Sequence, residues 1–157
     1  MRIDFNQERR LFDAGRLTAY VCCGEYEFLQ KETAWRIARF LLPEDEWDEG
    51  LQVFYGSEPN ALDTIADAAT SRYLFDTTRL LFVYDAEQLT LVPSEEAKGK
   101  KKVEDREKYH NYRAYEKLVE AVSGGAEDVY MVFVADGSLR KTSGKGKSRT
   151  EKVLQRC

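Results

Sequence analysis

Two acidic residues at the end of an apolar run are the first candidates for chemistry. Asp85 and Glu87 directly follow the run 80–84, and carboxylates placed after a buried strand hold Mg²⁺ in enzymes that hydrolyse nucleoside triphosphates. Such an enzyme also needs a glycine-rich turn whose backbone amides and lysine hold the phosphates. The turn after the first predicted strand, 24–32, has one glycine and no Gly-Lys-Ser/Thr sequence.

The charge of that turn also opposes a nucleotide. Glu25 and Glu27 stand where a triphosphate would need positive charge. We therefore expect no ATP and no other cofactor to bind, and we predict strand-end and helix-cap roles for Asp85 and Glu87. A second partial match, Gly-Lys-Gly-Lys-Ser at 144–148, follows no strand directly and lacks the P-loop spacing.

Cysteine and histidine indicate no further site. The chain has three cysteines, of which Cys22 and Cys23 are adjacent, and we predict that they are small core residues of a strand. Zinc needs four ligands at recognisable spacing, and the single histidine, His110, is far from every cysteine. No Gly-x-Ser-x-Gly nucleophile motif occurs. We expect no metal ion and no catalytic residue.

An apolar pair in a polar segment indicates a different activity. Leu74 and Phe75 lie within 71–79, which reads Ser-Arg-Tyr-Leu-Phe-Asp-Thr-Thr-Arg. Burying each of these side chains is worth about 1.5–3 kcal/mol. Bulky apolar residues in a loop either fold back onto their own core or bind a partner, and the local sequence leaves both alternatives open.

The elements that must position these residues alternate between strands and helices. The runs 80–84 and 129–134 are almost wholly apolar, which is typical of strands covered on both faces of a parallel sheet. We predict a single three-layer α/β domain over 1–157 with a mostly parallel sheet of about five strands. Strands are predicted at 18–23, 51–55, 80–84 and 129–134, and helices at 28–42, 60–69 and 112–122. The first helix is predicted to bury Phe28, Leu29, Ala34, Ile37, Ala38, Leu41 and Leu42 and to end at Pro43 in an acidic loop, and Asn60 is a predicted N-cap.

Composition restricts the class of partner. A net charge of −4 and a pI near 5.2 argue against a dedicated nucleic-acid surface. Two basic segments stand out: a charged insertion at 93–106 and a basic loop at 140–149. We interpret both as solvated surface, with phosphate contact as the alternative for Lys98, Lys100, Lys101 and Lys102.

Location and extent are also predicted from the sequence. No apolar run is long enough to span a membrane and no apolar region follows the N-terminus, so we expect a cytoplasmic protein. Residues 150–157 look like an element just beginning, and we expect the chain to be a fragment of a longer subunit.

The motifs together resemble the N-terminal domain of the delta subunit of bacterial DNA polymerase III, a clamp-loader subunit. The resemblance covers about 19–134. It rests on Gly24-Glu25 followed by Phe28-Leu29 and a helix, on Leu74-Phe75-x-x-x-Arg79-Leu80-Leu81-Phe82-Val83, and on Ala86-Glu87-Gln88-Leu89.

This resemblance implies an AAA+-like domain with a degenerate P-loop and no ATPase activity of its own. It also implies that the chain binds the β sliding clamp and opens the ring for loading on DNA. By motif match, Leu74 and Phe75 would enter a hydrophobic pocket of the clamp, with Tyr73 and Arg72 beside them. Arg79 would brace the loop or reach the clamp rim, while pairing with Asp76 or with a helix C-terminus is the open alternative.

The resemblance also implies a place in a larger assembly. The chain would be a non-catalytic subunit of the DNA polymerase holoenzyme in the replisome. It would contact the delta prime and gamma/tau subunits mainly through domains that lie outside this sequence, and primed DNA only indirectly. Two alternatives remain: a P-loop NTPase that uses Asp85 and Glu87, and a nucleic-acid-binding module that uses the two basic segments.

Overall fold

One parallel β-sheet organises the chain. The computed structural model describes residues 17–71, 78–92, 109–124 and 128–136. Within them the sheet has the strand order β1-β4-β3-β2, and every neighbouring pair is parallel. The strands are β1 (Ala19–Gly24), β2 (Leu51–Tyr55), β3 (Arg79–Tyr84) and β4 (Val129–Asp136). The helices are α1 (Glu27–Leu41), α2 (Trp47–Gly50), α3 (Ala61–Thr70) and α4 (Tyr112–Gly124).

The predicted parallel α/β architecture is confirmed, and its apolar runs explain it. Leu80, Leu81, Phe82 and Val83 of β3 are all 0% exposed. Successive side chains of a strand point to opposite faces, so a strand with four consecutive buried residues must be covered on both faces. Four strands lie within the described residues, and a fifth stays a prediction.

Two hydrophobic cores, one on each face of the sheet, produce the three layers. On one face, α3 and α4 pack against Leu81, Val83 and Phe133. On the other face, α1 packs against Phe82 and Val132. Alternate residues of β3 and β4 therefore belong to different hydrophobic cores.

The buried face of α1 differs from the prediction. It consists of Gln30, Ala34, Ile37, Ala38 and Leu41, which recur at the spacing of one helical face. Phe28 is 76% exposed and Leu29 is 38% exposed, so their predicted burial is wrong. A polar residue, Gln30, holds the first position of the buried face because it is in phase with Ala34 and Leu41.

The two adjacent cysteines lie on opposite faces of β1. Cys22 is buried and Cys23 is exposed, so the core prediction is confirmed for the first and wrong for the second. Burial, and then the neighbouring Cys23, raises the pKa of the Cys22 thiol to about 12. Cys22 is therefore a protonated core residue at neutral pH.

The segment after α1 is more ordered than the predicted acidic loop. A 3-10 turn, Glu44–Glu46, leads into the single turn of α2. The indole nitrogen of Trp47 donates a hydrogen bond of 2.9 Å to the Leu42 carbonyl oxygen, which ties α2 to the end of α1. Asn60 precedes α3 as predicted, but its side chain makes no cap hydrogen bond. No helix in the described part of the chain is long and apolar enough to cross a membrane.

Candidate functional site

A buried arginine at the start of β3 follows the segment that carries the predicted apolar pair. Arg79, the first residue of β3, is 7% exposed. Its guanidinium donates hydrogen bonds of 2.9 Å to the Ala68 carbonyl oxygen and 2.6 Å to the Ser71 carbonyl oxygen. The last carbonyls of a helix have no partner within the helix and carry partial negative charge. Arg79 therefore joins the end of α3 to the start of β3.

Two further features position Ser71 and Thr78, the residues on either side of the segment 72–77. The Ser71 hydroxyl donates a hydrogen bond of 2.6 Å to the Asp67 carbonyl oxygen, which closes the last turn of α3. On the other side, a Cβ at Gly50 would lie 2.5 Å from the carbonyl oxygen of Thr78. Glycine at 50 thus allows the chain ahead of β3 to pass close to α2. Ser71 and Thr78 are both held by the folded core.

The predicted site residues fall into two groups, one outside the described residues and one within them. Arg72, Tyr73, Leu74 and Phe75 lie outside the described residues, and their contact with a clamp stays a prediction. Arg79 lies within them and is bonded to the C-terminal end of α3, which is one of the alternatives left open by the sequence. The structure thus shows how the ends of the segment are held.

The residues of the alternative nucleotide site lie at the other end of the strands, at the carboxyl edge of the sheet. Because all strands are parallel, Gly24, Asp85 and Asp136 end or follow their strands at the carboxyl edge, whereas the segment 72–77 precedes the amino end of β3 in the sequence. The amide nitrogen of the Gln30 side chain donates a hydrogen bond of 2.6 Å to the Gly24 carbonyl oxygen. Gln30 thereby closes the turn onto the first helix.

The lysine of this turn is paired with a glutamate of the turn and lies near an aromatic ring of the sheet. Lys31 lies 2.6 Å from a carboxylate oxygen of Glu27 and 5.8 Å from the centre of the Tyr84 ring. The hydrogen bond from Lys31 lowers the pKa of Glu27, and the same bond raises the pKa of Lys31. The one lysine of the turn is therefore held by a carboxylate.

Asp85 and Glu87 are engaged with protein groups at the ends of strands. A carboxylate oxygen of Asp85 accepts a hydrogen bond of 2.9 Å from the Ser57 hydroxyl. Glu87 accepts one of 3.0 Å from the backbone amide of Asp136. Both contacts fit the predicted strand-end roles, whereas Asp85 precedes the 3-10 turn Ala86–Gln88 without a side-chain cap hydrogen bond. Among the residues that the structure describes, no three His, Cys, Asp or Glu side chains are grouped to hold a metal ion.

Two exposed aromatic residues beside this turn were missed by the sequence analysis. Tyr26 is 71% exposed and Phe28 is 76% exposed. A comparison of phases along α1 would have revealed Phe28, because it is two residues away from Gln30 and therefore faces away from the core. The two basic segments, 93–106 and 140–149, lie outside the described residues.

The comparisons with known proteins bear on the fold. No family model matches the chain, and no curated protein sequence does either. A comparison with solved structures supports the predicted three-layer α/β fold with a parallel sheet. A similar structure is the DNA clamp loader delta protein (YqeN) of Bacillus subtilis, with 22% sequence identity and a TM-score of 0.61.

The structural match covers a different share of each of the two chains. The match covers 97% of this chain and 40% of the Bacillus subtilis chain. The chain thus spans about two fifths of the length of that clamp-loader protein, and the likeness confirms the fold that the motifs predicted.

Proposed function

We propose that this chain is the clamp-binding domain of a delta-type clamp-loader subunit. In this proposal Leu74 and Phe75 bind a hydrophobic pocket of the β sliding clamp, and Tyr73 and Arg72 flank that contact. Arg79 is a positioning residue, because its guanidinium holds the base of the loop. The observation that carries the proposal is the fold shared with a clamp loader delta protein over 97% of this chain.

The geometry of the loop base supports this role. A protein that binds through a loop loses conformational entropy when the loop is ordered. Arg79 holds Ser71 at 2.6 Å, so the two ends of the binding segment are fixed before a partner arrives. Fixed ends reduce the entropy that remains to be lost on binding.

Ring opening by such a domain needs no nucleotide hydrolysis of its own. A partner that binds the open clamp more tightly than the closed clamp shifts the population towards the open form. The free energy available is limited to the difference between those two affinities. We assign ATP hydrolysis to other subunits of the loader and no catalytic residue to this domain.

Contacts at the carboxyl edge weigh against the alternative of a P-loop NTPase. Gln30 is bonded to the Gly24 carbonyl oxygen, and Lys31 is bonded to Glu27. A triphosphate would need backbone amides and an available lysine at this turn. Asp85 and Glu87 would also have to exchange their present partners for a metal ion.

The remaining partners belong to the proposal for the whole subunit. We assign contacts with delta prime and gamma/tau mainly to further domains, contact with primed DNA to the assembled loader, and the location to the cytoplasmic replisome. The alternative of a nucleic-acid-binding module predicts DNA affinity that falls steeply with salt and does not depend on Leu74.

Binding to the β clamp from the same source tests the proposal. We compare the wild type with Leu74→Ala/Phe75→Ala by calorimetry. Each truncation of a central interface residue costs about 2 kcal/mol or more, which is about a 30-fold loss of affinity. The matched control is Tyr26→Ala/Phe28→Ala, which removes two exposed aromatic side chains from the opposite edge of the sheet.

The outcome distinguishes the functions. Binding that is lost in Leu74→Ala/Phe75→Ala and retained in the control supports the proposed site, provided that circular dichroism shows both variants folded. Absence of binding by the wild type, or equal binding by the Leu74→Ala/Phe75→Ala variant, overturns it and leads to titrations with nucleotide and DNA.

A further inference from the structure

The edge strand β2 presents unpaired main-chain groups. Among the described residues β2 pairs only with β3. The backbone amide of Gly56 donates a hydrogen bond of 2.8 Å to the Tyr84 carbonyl oxygen, towards β3. Because main-chain groups alternate in direction along a strand, those of Val53 and Tyr55 point away from β3.

Part of this outward row is already bonded locally, and the rest is open. The Leu51 amide is bonded to the Trp47 carbonyl oxygen, and the Tyr55 carbonyl oxygen accepts a hydrogen bond of 3.1 Å from the Glu58 amide. Between these two ends, the carbonyl oxygen of Leu51, both main-chain groups of Val53 and the amide of Tyr55 remain. Within the described part of the chain these four groups have no partner.

The side chains next to this row form an exposed apolar strip. Val53 is 41% exposed and Tyr55 is 45% exposed, on the face that α1 covers over the other three strands. The ring of Tyr55 stacks on that of Tyr84 with 5.5 Å between centroids. The Tyr84 hydroxyl in turn accepts a hydrogen bond of 3.0 Å from the indole nitrogen of Trp35. The strip is therefore ordered by aromatic contacts.

The charged residues that flank β2 in the sequence are all acidic. No lysine or arginine occurs between residues 40 and 71, although edge strands are commonly protected from other chains by lysine or proline. The exposed acidic side chains before and after β2 include Glu44, which is paired with Arg39, and Asp45, Glu46, Asp48, Glu49 and Glu58. An occupant of this edge meets negative charge at both ends of the strand.

We propose that the open edge of β2 binds an extended segment of another protein by β-strand addition. The segment has β-branched or aromatic residues at alternate positions, which cover Val53 and Tyr55, and lysine or arginine at both ends. In such complexes the main-chain bonds supply affinity and the alternate side chains supply specificity. A second copy of this chain is a less favourable occupant, because acidic residues flank both ends of each β2 and like charges oppose pairing.

Amide hydrogen exchange of the full chain tests this proposal. The probe is a synthetic peptide, Lys-Arg-Val-Thr-Val-Thr-Val-Arg-Lys, and the reference is the same peptide with glutamate in place of every basic residue. We expect the amides of Val53 and Tyr55 to exchange rapidly in the free protein and to be protected by the basic peptide only. Saturable binding is followed through the same amide signals in NMR spectra.

Matched variants locate the contact. Val53→Lys places a like charge against the basic peptide, and we expect affinity to fall about tenfold or more. Val21→Lys adds the same charge on β1, at the other edge of the sheet, where the side chain is 37% exposed, and we expect it to bind as the wild type does. Val53→Pro, which removes one outward amide, gives a second test that does not depend on charge.

Three results would overturn the proposal: protection of Val53 and Tyr55 without peptide, equal binding of the acidic peptide, or equal weakening by Val21→Lys. The proposal is independent of clamp binding, because it concerns a different edge of the sheet. Leu74→Ala/Phe75→Ala is therefore expected to bind the basic peptide as the wild type does, whatever its affinity for a clamp.

Discussion

Arg79 at the start of β3 and Gln30 in α1 both connect a helix with a strand, but the two side chains use different hydrogen-bond donors. Each joins a helix to a strand through a polar side chain that is almost fully buried, 7% exposed for Arg79 and 8% for Gln30. Arg79 is a charged donor to two carbonyl oxygens, Ala68 and Ser71. Gln30 has a neutral amide that bonds to the Gly24 carbonyl oxygen. Hydrogen bonds from charged donors are about twice as strong as neutral ones.

This difference in donor strength distinguishes Arg79, which anchors two elements to each other, from Gln30, which closes a turn. The Arg79 contacts link α3 to β3, whereas the Gln30 contact links α1 to the strand that immediately precedes it. The anchored end carries the loop proposed to bind a protein. The other end carries a turn whose lysine is paired with Glu27. Stability and binding are thus expected to be most sensitive at the amino edge of β3.

The largest effect is expected from removal of the anchor. Arg79→Met leaves the Ala68 and Ser71 carbonyl oxygens without their donor, and we expect the free energy of unfolding to fall by about 3 kcal/mol. Urea unfolding followed by circular dichroism measures this loss. Arg79→Lys, which keeps the charge but has one donor group, is expected to recover part of it. A loss below about 1 kcal/mol in Arg79→Met would contradict the anchor role.

A smaller loss is expected when a methyl group is added at the loop base. In Gly50→Ala the new Cβ would lie 2.5 Å from the Thr78 carbonyl oxygen, so the chain ahead of β3 must shift, at a cost of about 2 kcal/mol. Gly24→Ala is the matched control in the first turn, since its Cβ would be 3.7 Å from the nearest atom, Gln30 Nε2. Thermal melts of the two variants should differ, and coincident melting temperatures would argue against tight packing at Gly50.

Removal of the Gln30 hydrogen bond in the first turn should lower the free energy of unfolding by less than Arg79→Met or Gly50→Ala does. Gln30→Met keeps the length of the side chain and removes only the bond to the Gly24 carbonyl oxygen. Because Gly24 is partly exposed, water can replace the lost donor, and we expect a loss of about 1 kcal/mol. A direct comparison with Arg79→Met by urea unfolding ranks the two junctions. A larger loss in Gln30→Met than in Arg79→Met would reverse that ranking.

The smallest effect is expected at the exposed pair of the turn. Lys31 lowers the pKa of Glu27 through a hydrogen bond, so its contribution is present above the ordinary glutamate pKa and is lost as the pH falls through the lowered value. Both side chains are solvated, and we expect Lys31→Ala to leave the urea midpoint at neutral pH unchanged. NMR titration should show the Glu27 pKa rise towards its ordinary value in Lys31→Ala. An unchanged titration would mean that the pair does not form in solution.

The sequence predicted the fold where burial follows simple patterns. The apolar run of β3 placed it at the centre of the sheet because a strand with no polar face must be covered twice. The same reasoning failed at Cys23, since its composition resembles that of Cys22 while its side chain points to the other face. Phe28 was misplaced because hydrophobicity alone does not reveal that Gln30 sets the phase of α1.

The candidate site was predicted less completely for a physical reason. The sequence left open whether Arg79 braces the loop, reaches a partner, or pairs with Asp76 or a helix C-terminus, and its acceptors are the carbonyl oxygens of Ala68 and Ser71 at the end of α3. Every residue has a backbone carbonyl group, so the sequence could identify the arginine but could not identify which acceptors it binds. The open row of β2 is hidden for the same reason, because only the strand order shows that β2 is an edge.

The central place of β3 has a mechanical consequence. β3 is paired along its length with β2 and β4. A force applied at Arg79 along the strand axis loads those hydrogen bonds together, in shear, instead of breaking them one after another from an end. Tension applied at the amino end of β3 is therefore shared by the hydrogen bonds to both neighbouring strands.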